Sequence, residues 1–222
     1  MIGFLQRTKA FSIPLLILVG ILSVLLIFFN KVEIELWVNA YNSAPLDFFF
    51  RYFTNLGDGI TAFIVSLIFM VFNIKRGLLL LLTFIISGLF IQYLKIHIFP
   101  DIVRPVTLLK GTYVLHLVEG VKMGEIQSFP SGHTGTAFAM FFCLATFTNK
   151  TWLHVSALVT AVLIGFSRIY LCQHFLPDVI AGAVIGTFTS LVLLTLFEHN
   201  KTFMKLNHPI FPRRASNAEK DT

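Results

Sequence analysis

Charge is what this chain has least of. Asp, Glu, Lys and Arg make up 13% of its 222 residues, against about 25% in soluble domains. That deficit, together with 56% apolar residues, 25 Phe and a mean hydropathy of +0.81, excludes a water-soluble globule. Acids are scarcer than bases, 11 against 17, and nowhere do carboxylates cluster as a Mg²⁺ site would need. We therefore expect no metal and no other cofactor. Cysteine is limited to Cys143 and Cys172. One belongs deep in a helix and the other in an outer turn, too far apart for the ~7 Å between Cα atoms that a disulfide tolerates. Both read as packing residues. No low-complexity linker and no internal repeat divides the chain, which implies one domain over residues 1–206 and a polar cytoplasmic tail over 207–222.

What remains is a series of long apolar runs. Stretches able to cross roughly 30 Å of hydrocarbon at about 1.5 Å per residue occur near 12–29, 59–74, 78–95, 134–149, 152–169 and 177–197. The fold class expected is an all-α integral membrane protein with six transmembrane helices in one bundle. The runs at 59–74 and 134–149 are short and need their flanks or a thin bilayer to complete a span. Arg7 and Lys9 ahead of the first run resemble the n-region of a signal peptide. The run is long for one, however, and KVEIELW offers no small-x-small cleavage site, so an uncleaved anchor is expected. Between the first two spans, residues 32–58 mix apolar and polar positions with helical period. They read as an interfacial amphipathic segment with Trp37, Tyr41 and Phe48 to Phe50 at headgroup level. Residues 96–129 form the longest loop.

Six crossings put both termini on one side. That side collects ten Lys/Arg and three acids, the other seven Lys/Arg and eight acids. By the positive-inside rule the termini are cytoplasmic. The net charge of +6 then reports topology and an attraction to anionic lipid, and gives no support for a nucleic-acid partner. The location expected is the bacterial inner membrane.

Charged side chains in apolar helices are costly, so the few present are informative. Between Glu125 and Glu198 only Lys150, Arg168 and Asp178 occur. Lys150 belongs to a cytoplasmic turn. Arg168 and Asp178 flank His174 in SRIYLCQHFLPD at the outer end, where the same topology puts His133 of PSGH, and Lys95 and Arg104 of KIHIFPDIVRP. His174 and Asp178 are four apart, on one helical face. The carboxylate can hold one imidazole nitrogen and leave the other nucleophilic. Ser131, Gly132 and His133 open a helix, whose first N–H groups and dipole suit an anion. Lys95, Arg104 and Arg168 add three cations, two of them guanidinium forks that match phosphate oxygens. The ligand expected is a phosphate, with His174 as nucleophile, His133 as general acid and the cations stabilising the transferred group.

The three stretches resemble the tripartite signature of the type-2 phosphatidic acid phosphatase superfamily, which includes bacterial lipid phosphatases and vanadium haloperoxidases. The resemblance covers residues 55–195. It implies a six-helix membrane phosphatase, a phosphohistidine on His174 oriented by Asp178, His133 as proton donor, and Lys95, Arg104, Ser131, Gly132 and Arg168 as phosphate ligands. The first stretch departs from the family pattern: eight residues separate Lys95 from Arg104, where members commonly have six.

The function expected is hydrolysis of a lipid phosphate or diphosphate at the outer or periplasmic face. Candidate substrates are undecaprenyl diphosphate, phosphatidylglycerol phosphate, phosphatidic acid and lipid A. The alternatives are lipid-to-lipid phosphotransfer, vanadate-dependent halide oxidation, and a degenerate lipid-binding or transport protein. The partners expected are the lipid phosphate and membrane lipids, with no obligate protein partner. Of the other polar residues, Asp58 is expected to cap the second span. His97 and His116 are expected to be solvated, and His154 to lack a partner.

Overall fold

The computed structural model describes residues 2–198 and 200–210, and among them there is no β-strand. Short caps divide the apolar runs into helices. After α1 (Ile2–Arg7), α2 (Lys9–Phe28) runs to Asn30, whose side chain accepts from Val32 N–H while its own N–H donates to Glu33. This capping box starts α3 (Lys31–Ala40). The helix α4 (Ala44–Phe53) tightens into a 3₁₀ turn, Thr54–Gly57. Asp58 then caps α5 (Gly59–Phe72) by accepting from Ile60 N–H, as the sequence suggested. Asn73 caps α6 (Ile74–Tyr93), which continues into a π-helical turn, Leu94–Ile98. The short α7 (Pro105–Leu109) interrupts the long outer loop. Then come α8 (Gly132–Ala145), α9 (Thr151–Tyr170), α10 (Leu176–Glu198) and α11 (Lys201–Met204).

Among the described residues four elements are long and apolar enough to cross a membrane: α2, α6 with its π turn, α9 and α10. The helices α4 and α5 make a fifth if their pair, bent by 56°, counts as one span. The sixth expected span is α8, whose 14 residues reach only about 21 Å. It is the central helix, packed against α6, α9 and α10. Ten of its residues are buried, so its surface meets protein rather than lipid. Around it Phe11, Leu80, Phe142, Ala161 and Leu194 form the main core. Lipid-facing helices keep their apolar side chains outward: Leu16, Ile17 and Ile21 of α2 are exposed.

The approach of α10 to α8 is close enough to require glycine. A Cβ at Gly182 would lie 2.6 Å from the Ser131 carbonyl, and one at Gly186 would overlap the Gly135 carbonyl. The two helix backbones therefore touch, and the N-terminus of α8 is seated beside the first turns of α10.

The segment 32–58 is helical as expected, but it is more than a belt at the headgroups. Trp37, Tyr41 and Phe48 are exposed, whereas Ile34, Glu35, Asn39, Phe50 and Thr54 are buried against α9, α10 and the outer loop. Burial holds the Glu35 carboxyl well above the usual carboxylate range. Asn39 donates to the His116 carbonyl and accepts from its N–H. Asp47 accepts from Tyr170 Oη–H and faces His116 Nε2 at 2.9 Å. His116 is thus pinned, not free in solvent. His154, expected to lack a partner, is buried with Nε2 at 2.9 Å from the Thr148 carbonyl. Both cysteines are buried and free. Of the expected polar tail, residues 207–210 fold back on the α5–α6 turn, where Ile74 N–H donates to the His208 carbonyl. Residues 211–222 lie outside the described residues.

Because backbone, not a flexible side chain, faces Gly186, substitution by Ala should lower stability by about 1–3 kcal/mol. Thermal unfolding in detergent measures this, and an unchanged midpoint would mean that the helices do not touch there.

Candidate active site

The site grows from the N-terminus of α8. The Ser131 hydroxyl accepts from Thr134 Oγ1–H at 2.8 Å and from Thr134 N–H at 3.4 Å, so it is spent as the helix cap. The Ser131 N–H, expected to be free for an anion, donates instead to the Asp178 carbonyl at 2.9 Å. That bond ties α8 to α10, and it leaves Gly132 and His133 as the N–H groups at the open end of the helix.

The turn between α9 and α10 carries His174. Its N–H and that of Gln173 both donate to the Arg168 carbonyl, at 3.1 and 2.9 Å. The imidazole is almost fully buried, with Nδ1 3.4 Å from Asp178 Oδ2. Asp178 Oδ2 also accepts from the Ser128 hydroxyl at 2.5 Å and from Phe175 N–H at 3.0 Å. Ser128 Oγ lies 3.5 Å from His174 Nδ1. With Nδ1 turned toward the carboxylate, Nε2 is the nitrogen left for the cavity. Burial, then Arg168, Arg104 and Lys95, hold the His174 pKa well below the usual histidine range. The imidazole is neutral at physiological pH, the form that can attack.

Three cations surround it. Lys95 sits on the π-helical turn, where Phe99 N–H reaches back five residues to Leu94. The widened turn carries part of the longer spacing to Arg104. Its Nζ donates to the Gln127 carbonyl at 2.8 Å. Arg104 Nη1 donates to Gln173 Oε1 at 2.9 Å and to the Gln173 carbonyl at 3.3 Å, and its Nε to the Ile126 carbonyl. Arg168 Nη1 donates to Thr54 Oγ1 at 2.8 Å, whereas its buried Nε has no partner among the described residues. Among the described residues every hydrogen-bond acceptor of these cations is a neutral oxygen, so their positive charge is not cancelled where it stands.

Lys95, Arg104, Gly132, His133, Arg168 and His174 all line one cavity of about 280 Å³, with Lys122, Gly124 and Gln173 on its wall. Ser131 and Asp178 stand behind it and position its members. Six of the eight residues singled out from the sequence thus face one space and two support it. Sequence reasoning missed Ser128, Thr54 and Gln173. Ser128 lies two residues before the PSGH stretch and Gln173 directly precedes His174, but nothing in their spacing distinguishes them from ordinary loop residues. Thr54 comes from the remote 3₁₀ turn. Among the described residues no group of three or more His, Cys, Asp or Glu is placed to hold a metal ion. The arrangement suits a tetrahedral anion gripped by guanidinium, ammonium and helix N–H donors, with an imidazole on one side.

Residues 76–202 match the family described as the PAP2 superfamily. The chain is 32% identical to the lipid A 4′-phosphatase of Bacteroides thetaiotaomicron over 34% of its own length and 33% of that protein. It is 26% identical to the undecaprenyl-diphosphatase of Sulfolobus acidocaldarius over 72% of its length and 75% of that protein. The aligned stretch therefore spans only a third of the first relative. Among solved structures, Aquifex aeolicus LpxE superposes with a TM-score of 0.65 at 29% identity, covering 73% of this chain and 93% of that one. The transmembrane PAP2-type phosphatidylglycerolphosphate phosphatase of Bacillus subtilis gives 0.61 at 26% identity, covering 87% and 98%.

Two outcomes are expected from this geometry. An NMR titration of labelled His174 should place its midpoint below the ~6.5 of a free histidine. Because the folded pKa is depressed, stability from this group is full above the unfolded value and declines as pH falls below it; a midpoint above the ordinary range would contradict the geometry. Ser128→Ala should remove a charge-assisted bond of about 1.5–3 kcal/mol and slow turnover roughly 10- to 100-fold in the assay described below.

Proposed function

The chain belongs to the PAP2 superfamily, and on that premise we propose that it is a metal-independent phosphatase acting on a lipid phosphate or diphosphate through a phosphohistidine on His174. The observation that carries this reading is the buried Nε of Arg168, unpartnered among the described residues, in a cavity shared with three further cations, Lys95, Arg104 and Lys122, and a neutral imidazole. A buried guanidinium with an unmet donor is costly unless an anion arrives. Phosphate is the anion that guanidinium forks and a helix start accept together.

In the proposed first step His174 Nε2 attacks phosphorus in line. The bond from phosphorus to the leaving oxygen breaks, and His133 gives that oxygen its proton. Asp178, held by Ser128 and Phe175 N–H, fixes the imidazole and stabilises its positive charge as the N–P bond forms. Lys95, Arg104, Arg168 and the N–H groups of Gly132 and His133 hold the equatorial oxygens. In the second step water attacks phosphorus, His133 takes its proton, and His174 leaves with inorganic phosphate as product. No step calls for a metal, because cationic side chains occupy the places where Mg²⁺ would act.

The protein is an integral membrane protein. We take α5 with its preceding turn as a span and α8 as a short central one, which makes six and leaves both termini on one side. The charge count then puts the termini in the cytoplasm and the site at the outer or periplasmic face of a bacterial inner membrane. Lipid A, undecaprenyl diphosphate and phosphatidylglycerol phosphate share the phosphate that this cavity would hold, and the outer loop would select among them.

Purified protein in EDTA should release phosphate from a panel of these lipids and phosphatidic acid. His174→Ala should lower that rate by at least about a thousandfold, and acid-labile ³²P should appear on the wild type alone. A strict requirement for divalent metal, or full activity in the alanine variant, would refute the mechanism. Transfer of label to a second lipid in place of free phosphate would identify phosphotransfer.

A further inference from the structure

The end of the bundle opposite the catalytic cavity holds a second positively charged hollow. It measures about 280 Å³ and lies between the α1–α2 start, the N-terminus of α6 and the ends of α8 and α10. Arg7, Lys75 and Arg76 line it together with a single acid, Glu198. Lys75 lies in the first turn of α6 and Lys95 on the π turn that follows it, about 30 Å apart at the helical rise, so this hollow shares nothing with the candidate active site.

The three cations are held in place without being neutralised one for one. Arg7 Nη1 is 3.6 Å from Glu198 Oε1. The Arg76 guanidinium lies 5.4 Å from the Phe147 ring centroid. The Lys75 ammonium donates to Met204 Sδ at 2.7 Å, a weak acceptor for a full charge. The hollow is also built by backbone. Lys75 N–H donates to the Leu206 carbonyl at 3.0 Å, Ile74 N–H to the His208 carbonyl at 3.0 Å, and Asn73 Nδ2 to Asn207 Oδ1 at 2.8 Å. These bonds clamp the segment after α11 against the start of α6 and hold Met204 beside Lys75. Its inner wall is apolar, with Leu79 and Leu194, so an anion there would sit against a surface of low dielectric where its attraction to the cations is strong.

We propose that this hollow is a second binding site, separate from catalysis, for a phosphate-bearing anion. Two sources offer that chemistry, the headgroup of an anionic phospholipid and free phosphate. A basic hollow between helix ends, with an apolar wall below it, is a form that headgroups fit. Occupancy would join the N-terminal helix, α6 and the end of α10 through one shared counter-ion.

The test is thermal unfolding of the whole protein in nanodiscs of phosphatidylcholine, of phosphatidylcholine mixed with phosphatidylglycerol, and of phosphatidylcholine with millimolar sodium phosphate. Binding should raise the midpoint by about 2–4 °C in one or both anionic media, and the effective medium identifies the source. The Lys75→Gln/Arg76→Gln double variant should lose that rise while hydrolysing a soluble phosphate ester at the wild-type rate. Anion held at the catalytic cavity would stabilise wild type and double variant alike, so only the lost part belongs to this hollow. No rise in either medium, or a rise undiminished in the double variant, overturns the proposal. If the double variant does not fold, Arg7→Gln at an exposed position replaces it, with the same expectation. The readout is binding and not turnover, so its failure is distinguishable from failure of the phosphatase reading.

Discussion

The end of this protein that holds the candidate site is organised by the Asp178 carboxylate and the backbone carbonyl of the same residue. The carboxylate gathers the Ser128 hydroxyl, Phe175 N–H and the His174 imidazole, while the carbonyl takes the N–H of Ser131. Residues from the end of the outer loop, the cap of α8 and the first turn of α10 are thereby joined at one buried point. A carboxylate buried this far needs several donors, and here each donor fixes a part of the site: the His174 ring, the loop before the helix, and the helix that offers its N–H groups.

The cations obey the opposite constraint. Lys95, Arg104 and Arg168 rest on carbonyl, amide and hydroxyl oxygens, which orient them but leave their charge available. Placing three positive groups around a half-enclosed cavity is unfavourable when no anion is present, because each raises the energy of the others and none is fully hydrated. The packing of α6, α8, α9 and α10 holds them there all the same, and an anionic ligand would relieve that repulsion. Burial, reinforced by the same crowding, keeps His174 neutral, the form in which the proposed reaction would use it.

Much of this was legible residue by residue. Apolar runs marked the helices to within a few positions, since a long helix in lipid has little choice of composition. Asp58 announced a helix start by cap chemistry. The site residues stood out because charge and histidine are rare in such a chain. The depth of α8 was not legible: a buried central helix and a lipid-facing one share the same apolar composition, and length alone hinted at the difference. The role of residues 32–58 was obscured for a related reason. Their mixture of polar and apolar positions fits an interface with water, and it fits equally a helix whose polar residues face partners inside the protein such as half-buried His116 and buried Cys172.

The sequence by itself determined that the chain is helical and membrane-bound, and which eight residues make up the candidate site, because hydropathy and rare charges are properties of the residues alone. Only the tertiary structure decided that Ser131 is a cap and a tie to α10, that Ser128, Thr54 and Gln173 support the site, and that Lys95 reaches the cavity from a widened turn. Hydrogen-bond partnership depends on which donor meets which acceptor across separate helices, and that pairing comes into being only when the helices pack.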